Sequence, residues 1–126
     1  MAKGKKFKIC ILESPFAGDV AKNVRYARHC MHDMLKRGEA PYASHLLYTQ
    51  PEVLDDNIPE ERDLGIYAGF AFKHMKGVHT VFYTDLGMSS GMQLALDYIK
   101  EHGMTYELRS LPNFNDIFVD KGVQCS

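Results

Sequence analysis

A chain of 126 residues with 45% hydrophobic and 25% charged side chains has the composition of one soluble globular domain, large enough for a layered core. A formal net charge of −1 leaves little cationic surplus to neutralise a phosphate backbone, which argues against nucleic acid as a partner. No segment approaches the roughly 18 apolar residues of a membrane helix, and the start lacks the apolar stretch of a signal peptide, so a cytoplasmic protein without a membrane partner is expected.

The chain begins with a basic cluster, Lys3, Lys5, Lys6 and Lys8, which reads as a solubilising terminus with residues 1–6 as an extension. Phe7–Leu12 is an apolar run predicted to form a buried strand. The turn Glu13-Ser14-Pro15-Phe16-Ala17-Gly18 breaks it, and Asp19 is placed to cap a helix reaching about Arg37. Val20, Val24, Ala27, Met31, Met34 and Leu35 form its apolar stripe at helical spacing, and Gly38 ends it. Ala40–Ala43 is a short second strand followed by Ser44 and His45, and Tyr48–Ile58 is a loop by its Pro, Asp and Asn content. Pro59 suits the first turn of a second helix, with Asn57 as a cap and Glu60 and Glu61 matching its dipole; Gly77 stops it after Met75. Val78–Thr84 is a third strand, Ser89–His102 a third helix closed by Gly103, and Thr105–Arg109 a fourth strand. Residues 111–126 have no strong period and read as a C-terminal tail. Cys10 in a strand and Cys30 in a helix read as buried free thiols, and the odd number completed by Cys125 speaks against a disulfide framework.

Strand–helix alternation with short connections implies βαβ units. The expected fold is a single α/β domain over residues 1–126, a small flavodoxin-like or Rossmann-like three-layer sandwich with a four- to five-stranded, mainly parallel sheet. The second helix is apolar nearly all round. Leu64, Tyr67, Ala68, Ala71 and Met75 make one face, while Ile66, Phe70 and Phe72 lie off it. Such a helix is buried on two sides, which predicts a homo-oligomer through residues 59–75.

In open parallel sheets a ligand lies outside the carboxyl ends of the strands. Glu13, Ser14, Pro15, Phe16 and Gly18 follow the first strand there, and Ser44 and His45 the second. Thr84, Asp85, Gly87, Met88, Ser89, Ser90 and Gly91 follow the third, and Ser110 the fourth. Arg62 and Asp63 can join from the second helix, and Asn23 and Tyr26 from the first. The glycine and hydroxyl loop before the third helix is suited to an anion or a sugar, because a helix start presents unpaired N–H groups and partial positive charge. Its spacing matches neither the dinucleotide-binding nor the phosphate-loop glycine pattern. Local roles compete at several positions: Ser14-Pro15 also reads as a strand-ending turn, His45 as an internally satisfied histidine, and Asp63 as a complement to the helix dipole. His29 and His32 lack partners for a metal site, and neither metal nor cofactor is expected.

These residues resemble the nucleoside 2-deoxyribosyltransferase-like superfamily, whose small members include the 2′-deoxynucleoside 5′-phosphate N-hydrolases and many bacterial and phage domains. The likeness spans roughly residues 7–111. Ser14-Pro15-Phe16 looks like the family's turn after the first strand, Asn23 and Tyr26 fall in the following helix, and Pro41 to His45 looks like its Pro-to-His segment. Arg62-Asp63 resembles the family's helix start, and Asp85–Gly91 its sugar- and phosphate-binding loop. The resemblance implies the sandwich fold and a nucleotide or nucleoside ligand. It also implies a nucleophilic glutamate two residues beyond Gly91, where this chain carries Gln93. An amide cannot serve as that nucleophile. Three readings follow: a nucleotide-binding domain that senses or sequesters its ligand, with Phe16 on the base, Ser89 to Gly91 on phosphate and Asp63 on sugar hydroxyls; an N-glycosidase that uses Asp63 with Glu13 or Asp85; and a structural or interaction module.

Overall fold

The structure is a computed structural model that describes residues 6–118. Lys3, Lys5, Cys125 and residues 119–126 of the predicted tail lie outside the described residues. Four strands, β1 (Lys8–Glu13), β2 (Glu39–Tyr42), β3 (His79–Tyr83) and β4 (Tyr106–Arg109), form one sheet in the order β2-β1-β3-β4 with every pairing parallel. The connections carry α1 (Val20–Lys36), the short α2 (Ser44–Leu47), α3 (Pro59–Ala71) with a 3-10 turn (Phe72–His74), and α4 (Ser90–Glu101); α5 (Phe114–Phe118) follows β4. The small α/β sandwich expected from the sequence is what the chain forms.

Strands covered on both faces must be apolar on both. Cys10, Leu12, Val81 and Tyr83 pack with Tyr26, Ala27, Cys30 and Met34 of α1, with Phe114 and Phe118 of α5 against them. Phe82 points to the opposite layer, with Phe70 of α3 and Met92, Ala95, Leu96 and Ile99 of α4. Cys10 and Cys30 are free buried thiols, and desolvation raises the pKa of both. Asp19 caps α1 by accepting from Lys22 N, and Gly38, at φ +85°, supplies the left-handed turn that leads into β2.

Two helices are rotated from the faces that apolar spacing suggests. In α1 the buried side is Asn23, Tyr26, Ala27, Cys30 and Met34, while Val20 (42%) and Leu35 (48%) face solvent. Polar Asn23 and Tyr26 can turn inward because partners await them: Asn23 Nδ2 donates to the Phe16 and Ala17 carbonyls, and Tyr26 Oη donates to Asp85. In α3, Gly69 and Phe70 are buried with Lys73 of the following turn, while Leu64 (62%) and Tyr67 (57%) are exposed, as is Met75 (43%) just beyond that turn. Asn57 does not cap α3: Ile58 holds that position without a side-chain bond, and Pro59 at the helix start removes one of the N–H groups a cap would satisfy. No helix among the described residues is long and apolar enough to cross a membrane.

Candidate functional site

A cavity of about 390 Å³ opens at the carboxyl ends of β1 and β2, walled by Glu13–Gly18, α2, the long loop after it, the inner face of α3 and the first turn of α4. Its polar floor holds two pairs. Ser14 Oγ and His45 Nε2 are 2.7 Å apart, and Lys73 Nζ donates to Glu13 Oε2 at 2.7 Å. The Lys73 side chain is almost wholly buried, so its ion pair neutralises Glu13 from beneath while the carboxylate faces the cavity. Desolvation holds His45 below its ordinary pKa, with the Glu13 charge opposing that shift and the Lys73 charge adding to it.

On the opposite wall Ser89 caps α4 by accepting from Met92 N, and Arg62 Nη2 reaches Ser90 Oγ at 3.4 Å. Arg62 is the one lysine or arginine among the lining residues, and Asp56 and Glu61 stand on the same wall. Glu61 accepts from Asp55 N at 2.7 Å and so ties the covering loop to α3. Thr49 Oγ1 donates to the His45 carbonyl, and the Tyr42 and Tyr48 hydroxyls join at 3.0 Å, which fixes the loop to α2 and β2.

Of the residues predicted from sequence, Glu13, Ser14, Phe16, Gly18, Ser44, His45, Arg62, Ser89, Ser90 and Gly91 line the cavity. The others do not. Pro15 is buried in the turn and Asn23 holds that turn from behind. Asp63 is exposed on α3, one residue past Arg62, because a helix turns its side chains by about 100° per residue. Asp85 is turned to the α1 side, where its carboxylate accepts from Tyr26 Oη (2.7 Å) and Leu111 N (2.8 Å). Gly87 and Met88 lie outside the lining, and the exposed Gln93 donates to Asp97 at 2.9 Å instead of facing the cavity. Sequence reasoning passed over Tyr48, Thr49, Leu54, Asp56, Glu61, Gly65, Ile66, Phe70 and Met92, and the supporting Lys73. The length of the Tyr48–Ile58 segment was a usable signal, since long ordered loops in compact domains tend to cover sites. Among the described residues no group of three or more His, Cys, Asp or Glu is placed to hold a metal ion.

Residues 8–109 match the family described as Domain of unknown function (DUF7768). The chain belongs to this family. The match starts on the first residue of β1 and stops on the last of β4, so the family unit contains the whole sheet, the cavity and its covering loop, with α5 outside it. No curated protein and no solved structure matches the chain.

The floor also predicts a pH response. His45 is depressed in the folded state, so the unfolded chain binds its proton first, and stability present above the ordinary value of 6.5 is lost as pH falls through the folded pKa. His29, depressed by burial and by Arg25, acts in the same direction. A plot of Tm against pH is therefore expected to fall below about pH 6.5, and His45→Gln should reduce that slope. An unchanged slope would refute the neutral, buried imidazole.

Proposed function

We propose that the cavity binds a nucleoside or a nucleotide with few phosphates, and that the chain senses or sequesters this ligand in the cytoplasm. The observation that carries the reading is one cavity wall on which Arg62 meets the capped start of α4, with the Phe16 ring lining the same space. Phe16 supplies a flat apolar surface for a base, and free N–H groups of the first α4 turn with Arg62 suit one anionic group. The volume lies within the range of small-molecule sites. Asp56 and Glu61 oppose a polyphosphate, which needs more than one cation. The resemblance to the deoxyribosyltransferase-like superfamily points the same way.

Titration calorimetry with nucleosides and their mono- and triphosphates tests this. Monophosphate is expected to bind more tightly than triphosphate. Arg62→Ala should weaken monophosphate binding about tenfold or more, the worth of a charge-assisted hydrogen bond, and nucleoside binding less. Absence of heat with every member of the panel would overturn the reading.

A second reading, N-glycoside hydrolysis, draws on Glu13. It is the one of the three candidate carboxylates that lines the cavity, and it is paired with Lys73 at 2.7 Å. A carboxylate at such a site can stabilise oxocarbenium-like charge or take a proton from attacking water. Chromatography for free base after incubation with deoxynucleosides and their 5′-monophosphates separates binding from turnover. Base release unaffected by Glu13→Gln would refute Glu13 as the catalytic group.

A further inference from the structure

The Ser14–His45 pair has no part in nucleotide binding or in the chemistry of Glu13. Ser14 is the first residue after β1 and His45 lies in α2, which follows β2, so the carboxyl ends of two neighbouring strands bring them together. Both line the cavity, and Ser14 Oγ lies 2.7 Å from His45 Nε2, within the reach that a nucleophile and its general base need. Burial holds His45 below its ordinary pKa, so the ring is neutral at pH 7 and an unprotonated Nε2 can accept the serine proton. Of the two charges beneath the ring, Glu13 acts on it more strongly than Lys73 and favours the imidazolium as it forms. The turn after Ser14 adds donors. Pro15 has no N–H, and the N–H groups of Phe16, Ala17 and Gly18 make no hydrogen bond among the described residues, although all three residues line the cavity.

We infer that Ser14 is a nucleophile with His45 as its general base, and that the cavity hydrolyses carboxylic esters with a short acyl chain. This activity does not depend on a nucleotide ligand. Ser14 Oγ attacks the ester carbonyl carbon while its proton passes to His45 Nε2. The oxyanion of the tetrahedral intermediate is served by the unpaired N–H groups of the turn at 16–18. The intermediate collapses by breaking the bond from carbon to the alcohol oxygen, and His45 gives its proton to the departing alcohol. Water then attacks the acyl-serine and loses a proton to His45. The bond to Ser14 Oγ breaks, the carboxylic acid leaves, and the proton returns to Ser14. Leu54, Ile66, Phe70 and Met92 line the same cavity and give the acyl chain an apolar seat.

Incubation of the full chain with diisopropyl fluorophosphate, followed by peptide mass spectrometry, tests the nucleophile without any variant. The reagent is expected to place a diisopropylphosphoryl group on Ser14, with fluoride and the serine proton leaving. Release of 4-nitrophenolate from 4-nitrophenyl acetate and butyrate measures turnover, and prior labelling should abolish it. Ser14→Ala and His45→Gln should each slow that release by about a hundredfold or more, the usual worth of a positioned base and its nucleophile, with the wild-type circular-dichroism spectrum. An unlabelled Ser14, or ester hydrolysis undiminished by the label, overturns the proposal. So does a folded His45→Gln chain that is labelled as fast as wild type, since a hydrogen bond that only ties β1 to α2 gives the serine no reactivity.

Discussion

Arg109→Met is expected to lower folding stability by about 3–5 kcal/mol, the usual result of removing one partner from a buried ionic cluster. Arg109 is buried, and its guanidinium makes a two-pronged contact with Glu39, Nη1 to Oε1 at 2.7 Å and Nη2 to Oε2 at 2.9 Å. Nε donates to Glu107 at 3.0 Å, and Nη1 donates to Tyr83 Oη, which itself donates to Asp33 at 2.6 Å. One side chain thus joins β4 to β2, β3 and α1. Methionine fills much of the volume but leaves the Glu39 and Glu107 carboxylates with no cation between them. Arg109→Lys should fall between the two, because an ammonium keeps the charge and loses the fork. Urea unfolding measures the loss, with an unchanged m-value confirming that the same surface is exposed. A loss under about 1 kcal/mol would mean that the cluster contributes no more than an exposed ion pair. The acid limb gives a second readout. Hydrogen bonding from Arg109 holds the Glu107 carboxyl below its ordinary 4.5, so the stability it lends above that value disappears as pH falls through the folded pKa. The methionine variant should lose that part of the slope.

Gly69→Ala should be destabilising, by about 1–3 kcal/mol, against the general rule that alanine stabilises a helix interior relative to glycine. A Cβ at position 69 would lie 2.6 Å from Ser44 Oγ and 2.9 Å from Ser44 Cβ, closer than packed atoms allow. Ser44 opens α2, and the next residue is His45, which meets Ser14 on the cavity floor. Relief of the clash must move α2 from α3, so ligand affinity is expected to fall together with stability. Gly65→Ala, one turn earlier, is the comparison. There the added Cβ lies 3.2 Å from Leu54 Cδ1, the end of a side chain in the covering loop, which can swing aside. Urea unfolding and calorimetry on both variants should separate them, with position 65 the milder in each. Equal or greater stability of Gly69→Ala would show that α2 adapts without strain.

Much of the fold was readable because its signals are local. An apolar run marks a strand whatever its neighbours are. Asp19 and Ser89 each cap a helix through a donor three residues ahead, and Gly38 closes α1 through its own backbone angle. Part of the site was readable for a topological reason: once the sheet is parallel, the ends of its strands face the same edge, which brings Glu13–Gly18, His45 and Ser89–Gly91 together.

What the sequence alone determined is therefore the kind and order of the elements, the parallel sheet, and the edge where the cavity lies. The tertiary structure alone decided which way each helix turns and which charges meet. Arg62 faces the cavity and Asp63 does not, although they are adjacent; Asp85 serves Tyr26 and Leu111, and Glu13 is claimed by Lys73. Periodicity gives the apolar arc of a helix but not its rotation against the sheet, since that depends on partners 60 or so residues away finding each other. α3 makes the point: its sequence shows two apolar sides, and only packing against β3 and α4 assigns Phe70 inward and Leu64, Tyr67 and Met75 to the surface.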